Sequence, residues 1–252
     1  MKYILIDLDG VLRKDNELLP GAQEFLSYIS TNQIPSCILS NSTKFSSKNI
    51  VDFFASISIE LSIPIITAVD VTANYLLQNH KTASVYCVES AKKYLSVLPD
   101  AANPEVVVIG DMADGWTYPL LNEMFKKVMN GAQIIAMQKN KFGAVKNDLY
   151  LDAGAFISAI EYASGTYSKL IGKPSKEYFE LALQKAGGKP GDEFMMIGDD
   201  LLVDIEAAQK LGGKGVLLLT GKTNENILKS QVAVKPDLIF YNLFTLLESK
   251  II

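Results

Sequence analysis

Two aspartates at the end of the first apolar run have the clearest chemical potential in the chain. The strand-forming residues from Tyr3 to Ile6 stop at Asp7 and Asp9, and Gly10 supplies a turn directly afterwards. Open α/β sheets place their active sites at the carboxyl ends of parallel strands. If the strand continues through this end, the two carboxylates lie on the same side of it. The pair can then hold a hard cation and divide nucleophile from general acid/base, although a solvated strand end would also favour acidic residues.

A second group of carboxylates follows another apolar run. Residues 194–197 lead into Gly198, Asp199 and Asp200, and Asp204 follows four residues after Asp200. Concentrated negative charge is unfavourable unless a cation or a lysine offsets it. Oxygen ligands without histidine or cysteine favour Mg²⁺ over zinc. We therefore expect Asp199 to bind a metal ion, and Asp200 and Asp204 to orient its surroundings or to cap the following helix.

Two further strand ends carry polar groups. Residues 40–43, Ser-Asn-Ser-Thr, follow a strand-like run at 36–39 and offer a hydroxyl and backbone N–H groups before a helix. This is a natural anion site, although ordinary capping of that helix explains the same residues. Lys173 follows Gly172 and can neutralise a phosphate or an aspartate, as an alternative to being a solvated lysine.

The composition excludes several classes of function. The 252 residues carry a net charge of −4, which gives no electrostatic footprint for nucleic acid. His80 is the only histidine, which argues against a Ser-His-Asp or Cys-His nucleophile. Cys37 and Cys87 stand alone in apolar runs, so we expect no disulfide, no zinc site and a cytoplasmic location. Arg13 is the only arginine, so backbone N–H groups, hydroxyls and lysines must hold any phosphate.

The order of the predicted elements indicates an α/β fold. Short apolar runs alternate with helical patterns, including a predicted helix at 43–54, which favours a parallel sheet. Polar residues at 78–82 and Gly165-Thr166 are candidate boundaries, and residues 138–148 are predicted to form a polar loop. We therefore predict a core domain formed by residues 1–80 and 169–252, and a smaller inserted α/β domain at 81–168. No run is long enough to span a membrane.

Taken together in this order, the motifs resemble those of the haloacid dehalogenase superfamily of aspartyl-phosphate hydrolases. Residues 7–12, Asp-Leu-Asp-Gly-Val-Leu, are similar to the first motif, Ser40 to the second, Lys173 to the third, and residues 198–200 with Asp204 to the fourth. The insertion between the second and third motifs is similar to that of members with a cap domain at this point. The segments 151–155, 171–175 and 220–222 resemble those of the NagD-like phosphatases.

This resemblance implies a Rossmann-like parallel-sheet core with an inserted α/β cap. It also implies Mg²⁺-dependent hydrolysis of small phosphate monoesters, such as 4-nitrophenyl phosphate, through an aspartyl-phosphate. The resemblance implies Asp7 as the nucleophile and Asp9 as the general acid/base, and it assigns the metal ion to Asp7, the backbone carbonyl of Asp9 and Asp199. It implies that Ser40, Asn41 and Lys173 bind the phosphate, with Asp200 and Asp204 as supporting groups. It implies that Asn140 and Lys141 of the cap bind the leaving group.

The expected partner is a small phosphorylated metabolite, with no nucleic acid and no membrane. The resemblance leaves a homodimer open as the assembly. A phosphotransferase or phosphomutase would use the same residues and differ only in its product. A receiver-like module that accepts a phosphoryl group shares the acidic cluster, although such a domain is about half this length or less. A haloacid dehalogenase is a further alternative that needs neither Mg²⁺ nor an acid at Asp9.

Overall fold

The computed structural model describes residues 2–145, 148–230 and 234–252. By their contacts these residues form two compact units. The first contains residues 1–40, 51–66 and 173–252, and the second contains residues 41–50 and 67–172.

The strands and helices alternate along most of the chain. The strands are β1 (Tyr3–Ile6), β2 (Arg13–Lys14), β3 (Glu17–Leu18), β4 (Ser36–Ser40), β5 (Ile65–Thr67), β6 (Ala83–Tyr86), β7 (Val106–Ile109), β8 (Gln133–Ala136), β9 (Phe142–Val145), β10 (Asp148–Leu151), β11 (Lys169–Leu170), β12 (Phe194–Gly198), β13 (Lys214–Leu218) and β14 (Leu238–Phe240). The α-helices are α1 (Ala22–Thr31), α2 (Ser47–Ser56), α3 (Ala68–Asn79), α4 (Glu89–Leu95), α5 (Tyr118–Met129), α6 (Ala153–Ser164), α7 (Lys176–Lys185), α8 (Ala207–Lys210), α9 (Glu225–Ser230) and α10 (Leu243–Glu248). A 3₁₀ turn lies at Ala113–Gly115 and a π-helical segment at Leu201–Glu206.

The first unit is built on a six-stranded sheet with the order β14-β13-β12-β1-β4-β5. Strand β1 pairs in parallel with β12 on one side and with β4 on the other, and Ile6 is opposite Ile197 and Ile38. The chain thus extends the sheet outwards from β1 in both directions. In sheets of this kind, ligands bind beside the strand at which the order reverses, at the carboxyl ends. The polar residues that follow β1, β4 and β12 therefore lie at the same edge of the sheet.

Apolar side chains explain why these strands are central. All residues of β1, β4 and β12 are buried, as expected for parallel strands covered on both faces. Helix α7 buries Tyr178, and the Tyr178 hydroxyl donates to the carbonyl oxygens of Ser40 (2.7 Å) and Ile66 (3.3 Å). One buried phenol thus ties together the carboxyl ends of β4 and β5.

The second unit contains a four-stranded sheet with the order β11-β8-β7-β6 and parallel pairing. One apolar cluster combines this sheet with α3 and α4, and includes Leu76 and Leu95. A second cluster combines it with α5 and α6, and includes Met124 and Ile157. Trp116 stacks on Phe156 with ring centroids 4.2 Å apart. The unit is therefore a sheet with helices on both faces.

The structure confirms the α/β class and the parallel core sheet. The predicted domain limits at 80/81 and 168/169 stay a prediction, and the contacts group the chain differently. Helix α3 belongs to the second unit because its buried residues Ala68, Val69 and Leu76 pack in the cluster that contains β6. Among the described residues, none of the helices combines the length and the hydropathy needed to cross a membrane.

Two local predictions were wrong. The predicted polar loop at 138–148 contains strand β9 and the start of β10, which pair as an antiparallel hairpin with Leu151 opposite Phe142. Residues 146–147 of that loop lie outside the described residues. Polar residues at 138–141 and 146–148 surround its short, mostly apolar strands, and they give the whole stretch the composition of a loop. The helix predicted at 43–54 begins only at Ser47, because residues 43–46 form the turns that precede it.

Candidate active site

Asp7 lies immediately after β1. Its N–H donates to the carbonyl oxygen of Ile197 (2.9 Å), which continues the pairing of β1 with β12 past the end of the strand. Its carboxylate oxygen Oδ1 accepts the N–H of Leu8 (2.7 Å), and the residue is buried. The apolar strand and this turn therefore hold the Asp7 carboxylate at the carboxyl edge of the sheet.

Lys173 is buried between two aspartates. Its ammonium Nζ lies 2.8 Å from Oδ1 of Asp7 and 2.7 Å from Oδ1 of Asp204, and only 2 % of its side chain is exposed. Burial by itself would lower the pKa of Lys173. The negative charges of Asp204 and Asp7 outweigh this effect of burial, so the pKa of Lys173 lies above its ordinary value. The lysine is therefore a permanent cation beside Asp7.

The π-helical segment turns Asp204 back toward the end of β12. Its oxygen Oδ2 accepts the backbone N–H groups of Asp199 (3.3 Å) and Asp200 (3.2 Å). Burial raises the pKa of Asp204 to about 7, against the opposing charge of Lys173. Burial, followed by the charges of Asp7 and Asp204, raises the pKa of Asp199 well above its ordinary value. These carboxylates are thus held in a site that disfavours their negative charge.

Asp7, Asp199 and Asp204 form what we call the acidic cluster. One carboxylate oxygen of each lies within 4.8 Å of the others, and all three residues are buried. With all three ionised, the ammonium of Lys173 offsets one negative charge and leaves two. An oxygen-only donor set with a deficit of two charges fits a hard divalent cation.

The loop after β13 completes the surroundings of Asp199. The N–H of Lys222 donates to Oδ2 of Asp199 (2.6 Å), and the Thr220 hydroxyl donates to the carbonyl oxygen of Gly10 (2.5 Å). A Cβ atom at Gly221 would lie 1.8 Å from Oδ2 of Asp199, and one at Gly10 would lie 2.3 Å from the same atom. The two glycines therefore leave the space that the Asp199 carboxylate occupies.

Asp200 points to a different partner. Its oxygen Oδ2 accepts a hydrogen bond from the ammonium of Lys222 (3.2 Å), and its Oδ1 accepts the N–H groups of Leu202 and Val203. Burial would raise the pKa of Asp200, but Lys222 and these N–H groups lower it. Asp200 therefore caps the π-helical segment, which is one of its two predicted roles. The role of Lys222 was not predicted, and the signal for it is its position in the segment 220–222, in the loop that follows the end of β13 at Leu218.

Asp9 is not part of the acidic cluster. Strand β1 ends at Ile6, so the condition for Asp7 and Asp9 to share one side of a strand is not met. The Asp9 side chain is 51 % exposed, and its Oδ1 accepts a hydrogen bond from Nε of Arg13 (2.9 Å). The two aspartates therefore have different cationic partners.

The predicted phosphate and cap residues fall in both units. Ser40 is buried at the end of β4, the strand next to β1. Asn41, Asn140 and Lys141 belong to the second unit. There the carbonyl of Asn140 accepts the N–H of Gly154 (3.0 Å), and Lys141 is exposed. The roles predicted for Ser40, Asn41, Asn140 and Lys141 stay predictions.

Comparisons with known proteins agree with this geometry. Residues 4–101 match the family model described as haloacid dehalogenase-like hydrolase, and residues 170–246 match a second model described as HAD-hydrolase-like. The mouse haloacid dehalogenase-like hydrolase domain-containing protein 2 is 32 % identical over 222 residues, which cover 88 % of this chain and 85 % of that protein. The chain belongs to the haloacid dehalogenase-like hydrolases.

Solved structures of haloacid dehalogenase-like hydrolases extend the match to nearly the whole chain. The 4-nitrophenylphosphatase from Thermotoga maritima is 25 % identical with a TM-score of 0.87, and the match covers 98 % of this chain and 97 % of that one. NagD from E. coli K-12 is 27 % identical with a TM-score of 0.80, and the match covers 96 % and 97 % of the two chains. The predicted family and its NagD-like group are therefore confirmed, and this hydrolase is an enzyme.

Proposed function

We propose that this hydrolase is a Mg²⁺-dependent phosphatase that cleaves small phosphate monoesters through an aspartyl-phosphate on Asp7. The observation that carries the proposal is the buried acidic cluster with Lys173 in contact with Asp7. The name of the similar Thermotoga maritima protein, a 4-nitrophenylphosphatase, supports the substrate class.

In the first step a carboxylate oxygen of Asp7 attacks the phosphorus atom. The bond from phosphorus to the leaving oxygen breaks while the bond to Asp7 forms, and Asp9 gives its proton to the leaving oxygen. In the second step water attacks the phosphorus of the aspartyl-phosphate, and Asp9 takes a proton from that water. Inorganic phosphate leaves, and the carboxylate of Asp7 is restored.

The charge that spreads over the phosphoryl oxygens needs fixed positive partners. Lys173 lies 2.8 Å from Asp7 and supplies a buried cation at this point. The hydroxyl of Ser40 and the N–H of Asn41 are the further groups that we assign to these oxygens. Because Asp204 holds Lys173 from the other side, at 2.7 Å, the lysine keeps its position when Asp7 becomes esterified.

We assign the metal ion to Asp7, the backbone carbonyl of Asp9 and Asp199. The donor chemistry fits, because the buried acidic cluster offers only oxygen atoms and, with its three carboxylates ionised, lacks two positive charges. Asp204 belongs to the cluster, but it is engaged by Lys173 and two N–H groups, so its role is to hold the lysine. When bound, Mg²⁺ neutralises charge on the phosphate oxygens.

The substrate that this chemistry takes is a small phosphorylated metabolite. Asn140 and Lys141 of the second unit are the residues that we assign to its leaving group. Neither contact is needed for 4-nitrophenyl phosphate, because 4-nitrophenolate departs readily. Simple aryl phosphates can therefore test the chemistry without the natural substrate.

The decisive experiment is Asp7→Asn, which removes the nucleophile and keeps nearly the same side-chain volume. We expect release of phosphate from 4-nitrophenyl phosphate with Mg²⁺ to fall by on the order of a thousandfold or more. Asp114→Asn, at an exposed aspartate in the 3₁₀ turn, is the matched control and should keep wild-type activity. Activity of the Asp7 variant within about threefold of the wild type would remove Asp7 from the nucleophile role.

Product analysis separates the alternatives. Transfer of the phosphoryl group to an added sugar or alcohol in place of water would identify a phosphotransferase or mutase. A stable phospho-adduct without turnover would identify a receiver-like module. Release of halide in excess chelator would identify a dehalogenase. Phosphate released in proportion to phenol, and only with a divalent cation, supports the phosphatase.

A further inference from the structure

The carboxylate of Asp9 is held by the only arginine of the chain. Nε of Arg13 lies 2.9 Å from Oδ1 of Asp9, four residues earlier. Only 5 % of the Arg13 side chain is exposed, whereas the Asp9 side chain is half-exposed. Within residues 2–145, 148–230 and 234–252, the second oxygen of Asp9, Oδ2, forms no hydrogen bond with protein atoms. One oxygen of this carboxylate is thus fixed, and the other can exchange a proton.

The backbone around Arg13 is tightly closed. The N–H groups of Leu12 and Arg13 donate to the carbonyl oxygen of Leu8 (2.9 and 3.1 Å), and the N–H of Gly10 donates to the carbonyl oxygen of Arg13 (2.7 Å). Arg13 then begins β2, which pairs with β3. The turn that carries Asp9 therefore also carries the residue that holds it, so their separation is set locally.

The guanidinium is fixed from a second direction by Phe53 of α2. The guanidinium carbon of Arg13 lies 5.1 Å from the centroid of the Phe53 ring, within the range of a cation–π contact. A planar guanidinium can stack on this ring and at the same time direct Nε at a carboxylate. The ammonium of a lysine lacks that plane. An arginine at position 13 therefore has a geometric role that a lysine does not reproduce.

We propose that Arg13 is a positioning residue for Asp9, which it holds by Oδ1 so that Oδ2 meets the leaving oxygen. This inference rests on the proposed function, since it needs Asp9 to be the general acid. Arg13 touches neither the acidic cluster nor the transferred phosphoryl group in this role. Its effect on the rate passes entirely through the orientation of Asp9.

Such a role predicts a dependence on the leaving group. The value of kcat/KM includes steps up to the formation of the aspartyl-phosphate, in which Asp9 protonates the leaving oxygen. Phenolate from phenyl phosphate needs that proton, whereas dinitrophenolate from 2,4-dinitrophenyl phosphate leaves without it. A misplaced acid therefore slows the first substrate selectively, and a general loss of folding slows both.

The experiment measures kcat/KM for both aryl phosphates in wild type, Arg13→Lys and Lys14→Gln. For Arg13→Lys we expect a loss of about 10- to 100-fold on phenyl phosphate and of less than about threefold on 2,4-dinitrophenyl phosphate. Lys14 is the exposed neighbour in the same strand, and its variant should keep the wild-type ratio of the two substrates. Equal losses on both substrates in a folded Arg13→Lys protein would overturn the proposal.

A double substitution tests whether Arg13 acts through Asp9. Asp9→Asn should itself lose activity selectively on phenyl phosphate, and Arg13→Lys added to it should not change the ratio further. A further selective loss in the double variant would overturn the proposal. Phe53→Leu keeps Arg13 and removes the aromatic ring on which its guanidinium lies, so it should shift the ratio in the same direction by about two- to fivefold. If Arg13→Lys does not fold, an unchanged ratio in Phe53→Leu refutes the inference.

The failure of the proposed function gives different results. A wild type that releases no phosphate from either ester, or an Asp9→Asn variant with the wild-type ratio, refutes the phosphatase mechanism and with it the inference. An Asp9→Asn variant that behaves as expected, beside an Arg13→Lys variant that behaves like wild type, refutes only the role of Arg13.

Discussion

Replacement of Lys173 by methionine tests the electrostatics of the site directly. The substitution keeps an unbranched side chain of similar length and removes the ammonium that lies 2.8 Å from Asp7 and 2.7 Å from Asp204. The acidic cluster then contains no cation in the absence of metal. We expect the metal-free variant to be markedly less stable than the wild type.

The size of the loss follows from the spacing of the cluster. Two unit charges 4.8 Å apart repel each other by about 3.5 kcal/mol at an effective dielectric constant of about 20. Removal of one partner from a buried ion pair commonly costs about 3–5 kcal/mol. A proton can replace part of the missing charge, because the pKa of Asp204 is already raised to about 7. We therefore expect a loss of about 3–5 kcal/mol at about pH 8, and a smaller one at about pH 6.

Urea unfolding followed by far-ultraviolet circular dichroism, in chelator and at both pH values, measures this loss. Lys176→Met is the matched control, because Lys176 is exposed and its pair with Glu180, at 3.5 Å, is a surface ion pair. It should cost less than about 1 kcal/mol at either pH. Added Mg²⁺ should restore part of the stability of Lys173→Met. If that variant is within about 1 kcal/mol of the control at about pH 8 in chelator, the cluster does not carry the charge that we assign to it.

Two further predictions concern Asp204 and Asp199. Burial raises the pKa of Asp204 from 3.8 to about 7, so the folded metal-free protein binds this proton more tightly than the unfolded chain. The stability of the wild type relative to Asp204→Asn should therefore be greatest below pH 3.8, the ordinary pKa, and should decline as the pH rises toward about 7. Thermal melting of both proteins in chelator measures this difference. A difference in stability that grows with pH would contradict the prediction. Gly221→Ala should weaken Mg²⁺ binding by at least about tenfold in calorimetry, because its Cβ would lie 1.8 Å from Oδ2 of Asp199. Gly115→Ala, whose Cβ would have its nearest neighbour at 3.5 Å, should bind normally, and equal affinities in both variants would show that Asp199 can move aside.

The ends of the strands were predictable from sequence because they depend on local patterns. Apolar runs stop at Asp7, at Ser40 and at Gly198, and parallel pairing brings strand ends to one edge. That conclusion needs the order of residue types along the chain, but not the position of any side chain. The α/β class and the approximate place of the site therefore followed from periodicity and charge alone.

The partners of the side chains were predictable only in part. An aspartate was an expected partner of Lys173, which contacts Asp7 and Asp204, but the backbone paths that set such contacts were not predictable. Asp204 holds Lys173 only because a π-helical segment turns it back over the end of β12. Gly221 is close to Asp199 because β13 lies beside β12 in the sheet. Both contacts depend on the path of the backbone after a strand, and the residue types there suit many paths. The hairpin of β9 and β10 was missed for a related reason, since its strands are only four residues long and polar residues surround them.

The structure also changes the basis on which we propose different roles for two neighbouring aspartates. The sequence suggested one strand face shared by Asp7 and Asp9, but the strand ends before either residue. Asp7 is buried beside Lys173, in the oxygen-only acidic cluster to which we assign the metal ion. Asp9 is half-exposed beside Arg13, outside that cluster, where water can reach the group that we propose as the general acid/base. The turn between them therefore gives each aspartate its own cation, and this difference is the physical basis on which we propose Asp7 as the nucleophile and Asp9 as the acid/base.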